Sequence, residues 1–465
     1  MDELDLDDIQ GVILRGYRRM GRARHLLLGI ERPAAFKSFL GDLATEDRAS
    51  GPFVTVASDW IHKPPAGEDP RHCVNIGLTF SGLRALGEPE DSLKSFPSDF
   101  REGAVARAAK VGDSGGNDPS GWIEALRPEH HDDVHVVLSL YALTDEDLAE
   151  LAEDVRRRAA AGGAARVLHE RDAKVLYEDA ERAHTVHFGY VDGLSQPSIA
   201  GVPQPASVHE HEPIRDPMPA VPAGDFVLGH PSSREGYYPV PGSDGLGRNG
   251  SFAALRILEQ DVRAFEDFIA SGPDGAPDEL LAARICGRWR NGVPLVMSPD
   301  SDAADIPRAE LNAFDFDREH PDPRGERCPL GSHIRRANPR AQPGTPGNDA
   351  GKRRIVRRGL PYGPLFDPSA PDDGQERGLV GMFIGVSLRD QFESIMRLWI
   401  NDGAVAPGLG RTRDPLCGNV EPADAPFVAP GDPDVEVTGL PRFVTTRGGV
   451  YLFLPSMTAL RRLAA

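Results

Sequence analysis

Residues 252–272 read FAALRILEQDVRAFEDFIASG, an apolar run that passes into a segment with apolar residues at helical spacing. The same outline occurs near the start, in LLLGIERPAAFKSFL (26–40). A second pair repeats it: HVVLSLYA (135–142) leads into DEDLAELAEDVRRRAA (145–160), and GLVGMFIGVSL (378–388) leads into RDQFESIMRLWIND (389–402). Thr144, with Asp147 three residues on, supplies a helix start for the first of these. Two weakly similar halves built of strand–helix units predict an internally duplicated α+β fold. The stretch 200–248, rich in Pro, Gly, His and Ser, reads as a long connecting loop, which divides the chain into modules 1–225 and 226–465.

Composition narrows the function classes. The chain has 465 residues, 40% of them hydrophobic, enough for more than one real core. No apolar run reaches the roughly 18 residues that a membrane span requires. The opening MDELDLDDIQG lacks a basic n-region and an apolar h-region, so a cytoplasmic location is expected, with secretion as the alternative. A net charge of −19 argues against nucleic acid as a partner, and it would repel anionic substrates unless the entrance to the site were locally basic. Cys73, Cys286, Cys328 and Cys417 are far apart and form no CxxC pair, which argues against a zinc cluster, a redox dithiol or a disulfide framework.

The chemistry concentrates in RCPLGSHIRRANPR (327–340). His333 is its one histidine, and a neutral imidazole is a common haem ligand. Arg335, Arg336 and Arg340 are candidates to face anionic propionates, because a guanidinium donates in a fixed fork to carboxylates. Cys328, five residues before His333, is the thiolate alternative. No CxxCH is present, so a haem would be held non-covalently. Upstream, HFGYVDGLSQPSIAG (187–201) contains a GxxDG spacing at Gly189, Asp192 and Gly193; downstream, IVRRGLPYG (355–363) contains the pair Arg357 and Arg358.

These three stretches, in this order, resemble the dye-decolorizing peroxidases, on their larger bacterial and fungal-like branch. DLDDIQGVILRGY (5–17), CVNIGLTFSGLRALG (73–87), SFPSDFREGAVARA (95–108), GRWRNGVPL (287–295) and FVTTRGGVYLFLPSMTAL (443–460) extend the resemblance along nearly the whole chain. It implies two ferredoxin-like modules with antiparallel sheets facing each other and helices outside. It also implies a haem b peroxidase that reduces hydrogen peroxide and oxidises dyes, phenols or other small aromatic reductants by one-electron steps through an oxoferryl state. The haem would lie mostly in the second module. A haem carrier or iron-releasing protein is the alternative, and a homo-oligomer is compatible with either.

By the resemblance, His333 binds iron, while Asp192 and Arg357 line the opposite face of the haem. Asp192 would move the peroxide proton. An aspartate's ordinary pKa of about 3.9 would then favour turnover at acid pH. Arg357 would stabilise negative charge, and alternation along its extended segment turns Arg358 the other way. Asn338 and Arg340 are expected to secure the proximal loop and a propionate. The resemblance implies an acid behind His333; the family position aligns with Ser387, which leaves Asp390, Glu393 or no acid at all in that role. Met382 and Phe383 are expected to wall the distal pocket, and Trp289, Tyr362 and Trp399 are candidate electron relays.

Overall fold

The computed structural model describes residues 3–17, 20–45, 52–61, 70–177, 185–202, 214–234, 236–271, 278–340, 352–370, 373–410, 412–419, 426–429 and 435–465. Residues 203–213 and 235 of the expected connecting loop lie outside them. Strand β1 (Arg22–Ile30) buries Leu26, Leu27 and Leu28 completely. Helix α1 (Pro33–Leu43) follows, with Pro33 in its first turn, where no N–H is missed. β2 (His72–Leu78), β3 (Val136–Ala142), α2 (Asp145–Ala160) and β4 (Ala165–Lys174) complete the first half. The Thr144 side chain accepts from the Asp147 N–H at 3.0 Å, as its spacing predicts.

The second half repeats this order with β5 (Ser251–Gln260), α3 (Val262–Ala270), β6 (Val356–Tyr362), β7 (Gly378–Gly385), a helical run over Leu388–Glu393 and Ile395–Ile400, and β8 (Val444–Leu454). The insertion between α3 and β6 carries α4 (Glu279–Cys286) and the short α5 (His333–Ala337). The strand order is β4-β1-β3-β2-β8-β5-β7-β6, antiparallel throughout. Each half therefore places its first strand between its fourth and third, with the second outermost, the arrangement of a ferredoxin-like module. β2 meets β8 through the Leu78–Phe453 pair, and β4 also lies against β6. The sheet curls until its halves face each other: His25 and Tyr141 of the first meet Arg358, Leu360 and Met382 of the second. Helix α6 (Met457–Ala464) packs on α1, so the end of the chain closes onto its beginning.

Two local findings differ from the simple reading. The helical run after β7 is wound as π-helix, a form found often at functional sites. Gln391 anchors its start, donating to the carbonyls of Asp225 and Arg354 at 2.9 and 2.7 Å. The terminal strands β4 and β6 carry charged residues, and β6 contains Pro361, because strands at the end of a ladder need fewer backbone partners and less apolar surface.

Two buried imidazoles couple this fold to pH. Burial pushes the pKa of both His25 and His187 down to about 4. The unfolded chain takes up these protons near pH 6.5 and the folded chain only near 4, so their penalty is absent above about pH 6.5 and grows as pH falls towards 4. Each buried ring should cost roughly 3 kcal/mol at the acid end of that window. Thermal unfolding followed from pH 7 to 4 should therefore show a falling Tm, and His25→Gln should flatten the slope. An unchanged slope in that variant would remove His25 from the account.

Candidate active site

The GxxDG loop is stitched along the edge of β6 at two points. The His187 ring lies with Nε2 2.8 Å from the Tyr362 carbonyl. Further on, Gln196 brackets the backbone of Arg357: its Nε2 donates to the Arg357 carbonyl at 2.9 Å and its Oε1 accepts the Arg357 N–H at 3.2 Å. The amide side chain thus takes the place that a neighbouring strand would occupy. Between these anchors Gly189 and Gly193 adopt φ values of +80° and +75°, which a side chain would resist. The turn they permit brings Asp192 Oδ1 to 3.7 Å from Arg357 Nη2, and Arg357 Nη2 also donates to the Ser195 carbonyl at 3.1 Å. Asp192 and Arg357 keep 53% and 39% of their side-chain surface open, so the pair can meet a ligand.

Alternation sorts the neighbours. Arg357 is paired with Phe383 across the ladder, and Arg358 with Met382. Arg358 turns inward, donating to the Val12 carbonyl at 2.9 Å. Phe383 shares the face of Arg357, whereas Met382 points between the sheets beside His25 and Tyr141. Met382 therefore does not wall the site, contrary to expectation.

His333 opens α5, and its Nδ1 lies 2.9 Å from Asp414 Oδ2. Asp414 is wholly buried, and its other oxygen accepts the N–H groups of Leu416 and Cys417, each at 2.9 Å. Burial pushes the Asp414 carboxyl up, but His333, the Cys417 N–H and the charge of Arg336 outweigh it, so the group stays below the usual carboxylate range. Burial pushes the His333 imidazole down, and Asp414 more than reverses this, so its pKa is raised. The charge of Arg357 pushes that imidazole down and the charge of Asp192 pushes it up, both less than Asp414 does. Arg336 fastens the two parts: Nε donates to the Gly331 carbonyl at 3.1 Å, while Nη1 donates to those of Trp399 and Thr412 at 2.9 and 3.2 Å. About a quarter of the His333 side chain (27%) stays open, and its Nε2 makes no hydrogen bond among the described residues.

This corrects the expected proximal acid. Asp390 lies 3.2 Å from Arg234, and Glu393 is held by Arg107 and Tyr451, so neither partners His333. The acid comes from a loop after the π-helical run, in the stretch RTRDPLCG, 81 residues beyond the histidine. The flanking arginines are also corrected. Arg335 is fully buried over the Phe316 ring and donates to Asp322 and the Cys328 carbonyl at 2.8 and 2.6 Å. Arg340 lies over Phe314 and donates to the carbonyls of Phe314 and Asn312. Their forks hold the insertion together and do not stand free for a propionate. Asn338 differs, since its Oδ1 is buried without a hydrogen-bond partner.

The remaining candidates fall into place by burial. Cys328 is 1% exposed, and burial pushes its thiol up to about 11, which argues against a thiolate ligand. Cys417 Sγ lies 3.7 Å from His333 Nδ1, on the Asp414 side of the ring, and burial raises its pKa as well. His333, Asp414 and Cys417 are close enough to enclose an ion, but a metal there would have to displace the Nδ1–Asp414 bond. Trp289, Tyr362 and Trp399 are all buried.

A half-buried imidazole backed by a buried carboxylate, with an open nitrogen and a carboxylate–guanidinium pair nearby, is a donor set suited to an axially ligated haem. Comparison with known proteins agrees. No protein-family model matches the chain. The chain is 29% identical, over an alignment of 506 residues covering all of it and 88% of the relative, to a dye-decolorizing peroxidase of Mycena epipterygia. It is 27% identical to the multifunctional dye peroxidase DyP2 of an Amycolatopsis species, with 98% and 96% coverage. The crystal structure of a fungal DyP-type peroxidase from Auricularia auricula-judae superposes with a TM-score of 0.81 at 26% identity over the full length of both chains. A dye-decolorizing peroxidase in complex with 2,6-dimethoxyphenol gives 0.78 at 26% identity, covering 99% and 100%. Fold, residue order and full-length comparison agree: over its whole length the chain is similar to dye-decolorizing peroxidases.

Proposed function

We propose that this protein is a haem-dependent peroxidase that reduces hydrogen peroxide and oxidises phenolic or other aromatic donors by one-electron steps. The observation that carries the reading is the His333–Asp414 pair with Nε2 left open, in the neighbourhood of Asp192 and Arg357. His333 would hold haem b through Nε2, without a covalent link to the ring. Asn338, with its unsatisfied buried oxygen, is the remaining cofactor contact in this reading. We also infer a module boundary near residue 225, with Asp192 in the first module and His333 and Arg357 in the second.

Bound haem would supply the redox centre that peroxide oxidises and aromatic donors reduce. Asp192 takes the proton that peroxide loses on binding and returns it to the departing oxygen, which must leave as water. Arg357 offers a fixed positive charge for the oxygen that gains electrons. Asp414, held as a carboxylate by two N–H groups, fixes the His333 tautomer with the proton on Nδ1 and makes Nε2 a better donor.

Rapid mixing of the haem-loaded protein with peroxide tests this reading. A spectral change within milliseconds, followed by turnover of 2,6-dimethoxyphenol, supports a peroxidase, whereas slow bleaching supports a haem carrier. Arg357→Leu should keep haem and slow the peroxide reaction by about 10²- to 10³-fold. Asp414→Asn should weaken haem binding or activity by about 10- to 100-fold, measured by haem titration and by peroxide kinetics.

A further inference from the structure

The stretch from Asp192 to Gln196 holds both ends of Arg357. Asp192 Oδ1 lies 3.7 Å from Arg357 Nη2, and the Ser195 carbonyl accepts from the same nitrogen at 3.1 Å. Gln196 holds the backbone, accepting the Arg357 N–H at 3.2 Å and donating to its carbonyl at 2.9 Å. In an antiparallel ladder a residue turns both of these groups to one side, so the pair that meets Gln196 points away from β7. The carbonyl has a second donor in Arg358 Nη1, at 3.2 Å. Pro197 follows and restricts Gln196 to extended backbone, so the amide meets β6 from a stiff support.

The loop has other means of keeping its course. Upstream, the Val191 N–H donates to the Arg290 carbonyl at 3.0 Å, and Leu194 is buried where it packs on Gly292. Downstream, Ile199 is buried, and the N–H groups of Ala200 and Val221 donate to the carbonyls of Val221 and Ser198 at 2.8 and 2.7 Å. β6 has no such reserve. It ends the ladder, so no described strand bonds its outer edge at Arg357. The two bonds of the Gln196 amide therefore serve the arginine more than the loop.

We propose that Gln196 is a positioning residue for the peroxide reaction: it fixes the backbone of Arg357 so that the guanidinium keeps its place beside Asp192. The proposal rests on the peroxidase reading above. Without the amide, β6 is loose at the residue whose charge must meet the departing oxygen. A displacement of about 1 Å at such a group costs on the order of a hundredfold in rate. The role needs a donor and an acceptor side by side, one for the carbonyl and one for the N–H. A protonated carboxylic acid of the same length offers both. A carboxylate offers two acceptors and turns one of them on the Arg357 carbonyl, which repels it.

The test uses the full-length, haem-loaded protein. Gln196→Ala should keep haem and lower kcat/KM for peroxide about 10- to 100-fold, while kcat/KM for 2,6-dimethoxyphenol stays unchanged. In an Arg357→Leu background the same substitution should cost less than about threefold, because residues that act through one another are not additive. Gln196→Glu should match the unmodified protein at about pH 4 and below, where a side chain of ordinary pKa about 4.3 keeps its proton, and fall towards Gln196→Ala near pH 7. Hydrogen exchange of the peptide spanning β6 should quicken about fivefold or more in Gln196→Ala, with no peroxide present. A peroxide rate indifferent to Gln196→Ala, a loss just as large in the Arg357→Leu background, or a ratio of Gln196→Glu to unmodified protein that is flat with pH would overturn the proposal. Failure of the peroxidase reading would look different: the unmodified protein would not react with peroxide, while exchange at β6 would still respond to Gln196→Ala.

Discussion

Asp192→Asn should leave haem in place and slow the reaction with peroxide by about 10²- to 10⁴-fold, the span usual for loss of a positioned proton-transfer group. Asparagine keeps the shape of the side chain and removes its capacity to take a proton. The loop should hold its course, because its anchors are His187 on the Tyr362 carbonyl and Gln196 on the backbone of Arg357, and neither involves the carboxylate. The 3.7 Å approach of Arg357 to Asp192 would lose its charge component, which for two open side chains is a small effect on stability. A large kinetic loss with unchanged Tm and haem content is therefore expected, read by stopped-flow absorbance and a Soret spectrum. A variant that reacts with peroxide at the original rate would move the proton-transfer role to another residue.

His333→Ala should act on the cofactor itself. Removing the ring takes away the open Nε2 and also leaves Asp414 buried without the partner that holds it low. An uncompensated buried carboxylate costs several kcal/mol, so some loss of stability should accompany the loss of haem. Haem affinity, measured by titrating apoprotein and following the Soret band, should fall by more than the roughly 100-fold upper range for loss of a supporting residue. The double variant His333→Ala with Asp414→Ala removes that stranded charge. It should recover stability relative to the single variant without recovering haem. Recovery of both would indicate that His333 mattered only through the fold.

The duplicated fold was readable because β1, β3, β5 and β7 occupy inner positions of the ladder and are written as apolar runs, each leading into a helix. β4 and β6 end the ladder, so their sequences ARVLHERDAK and VRRGLPY carry charge and proline and lack the apolar run of an inner strand. Asp192, Arg357 and His333 were candidates because the resemblance assigns them roles, and its motifs GxxDG, HIRRANPR and VRRGLPYG are each contiguous in sequence. Asp414 gave no such signal: it reaches His333 only through the packing of a distant loop, which Arg336 holds in place. Arginine count misled for a related reason. Arg335 and Arg340 lie in the same crowded stretch, yet their forks close on Asp322, Asn312 and backbone carbonyls, and only the fold decides which way a guanidinium points. Gln196 gave no signal, since an amide that imitates a strand edge leaves no pattern in sequence.

The most direct measurement is a crystal structure of the protein reconstituted with haem. Iron should be bonded to Nε2 of His333, with Nδ1 still on Asp414 and Asp192 with Arg357 on the opposite side of the ring. Iron held by any other side chain, or a haem whose open side faces neither Asp192 nor Arg357, would contradict it.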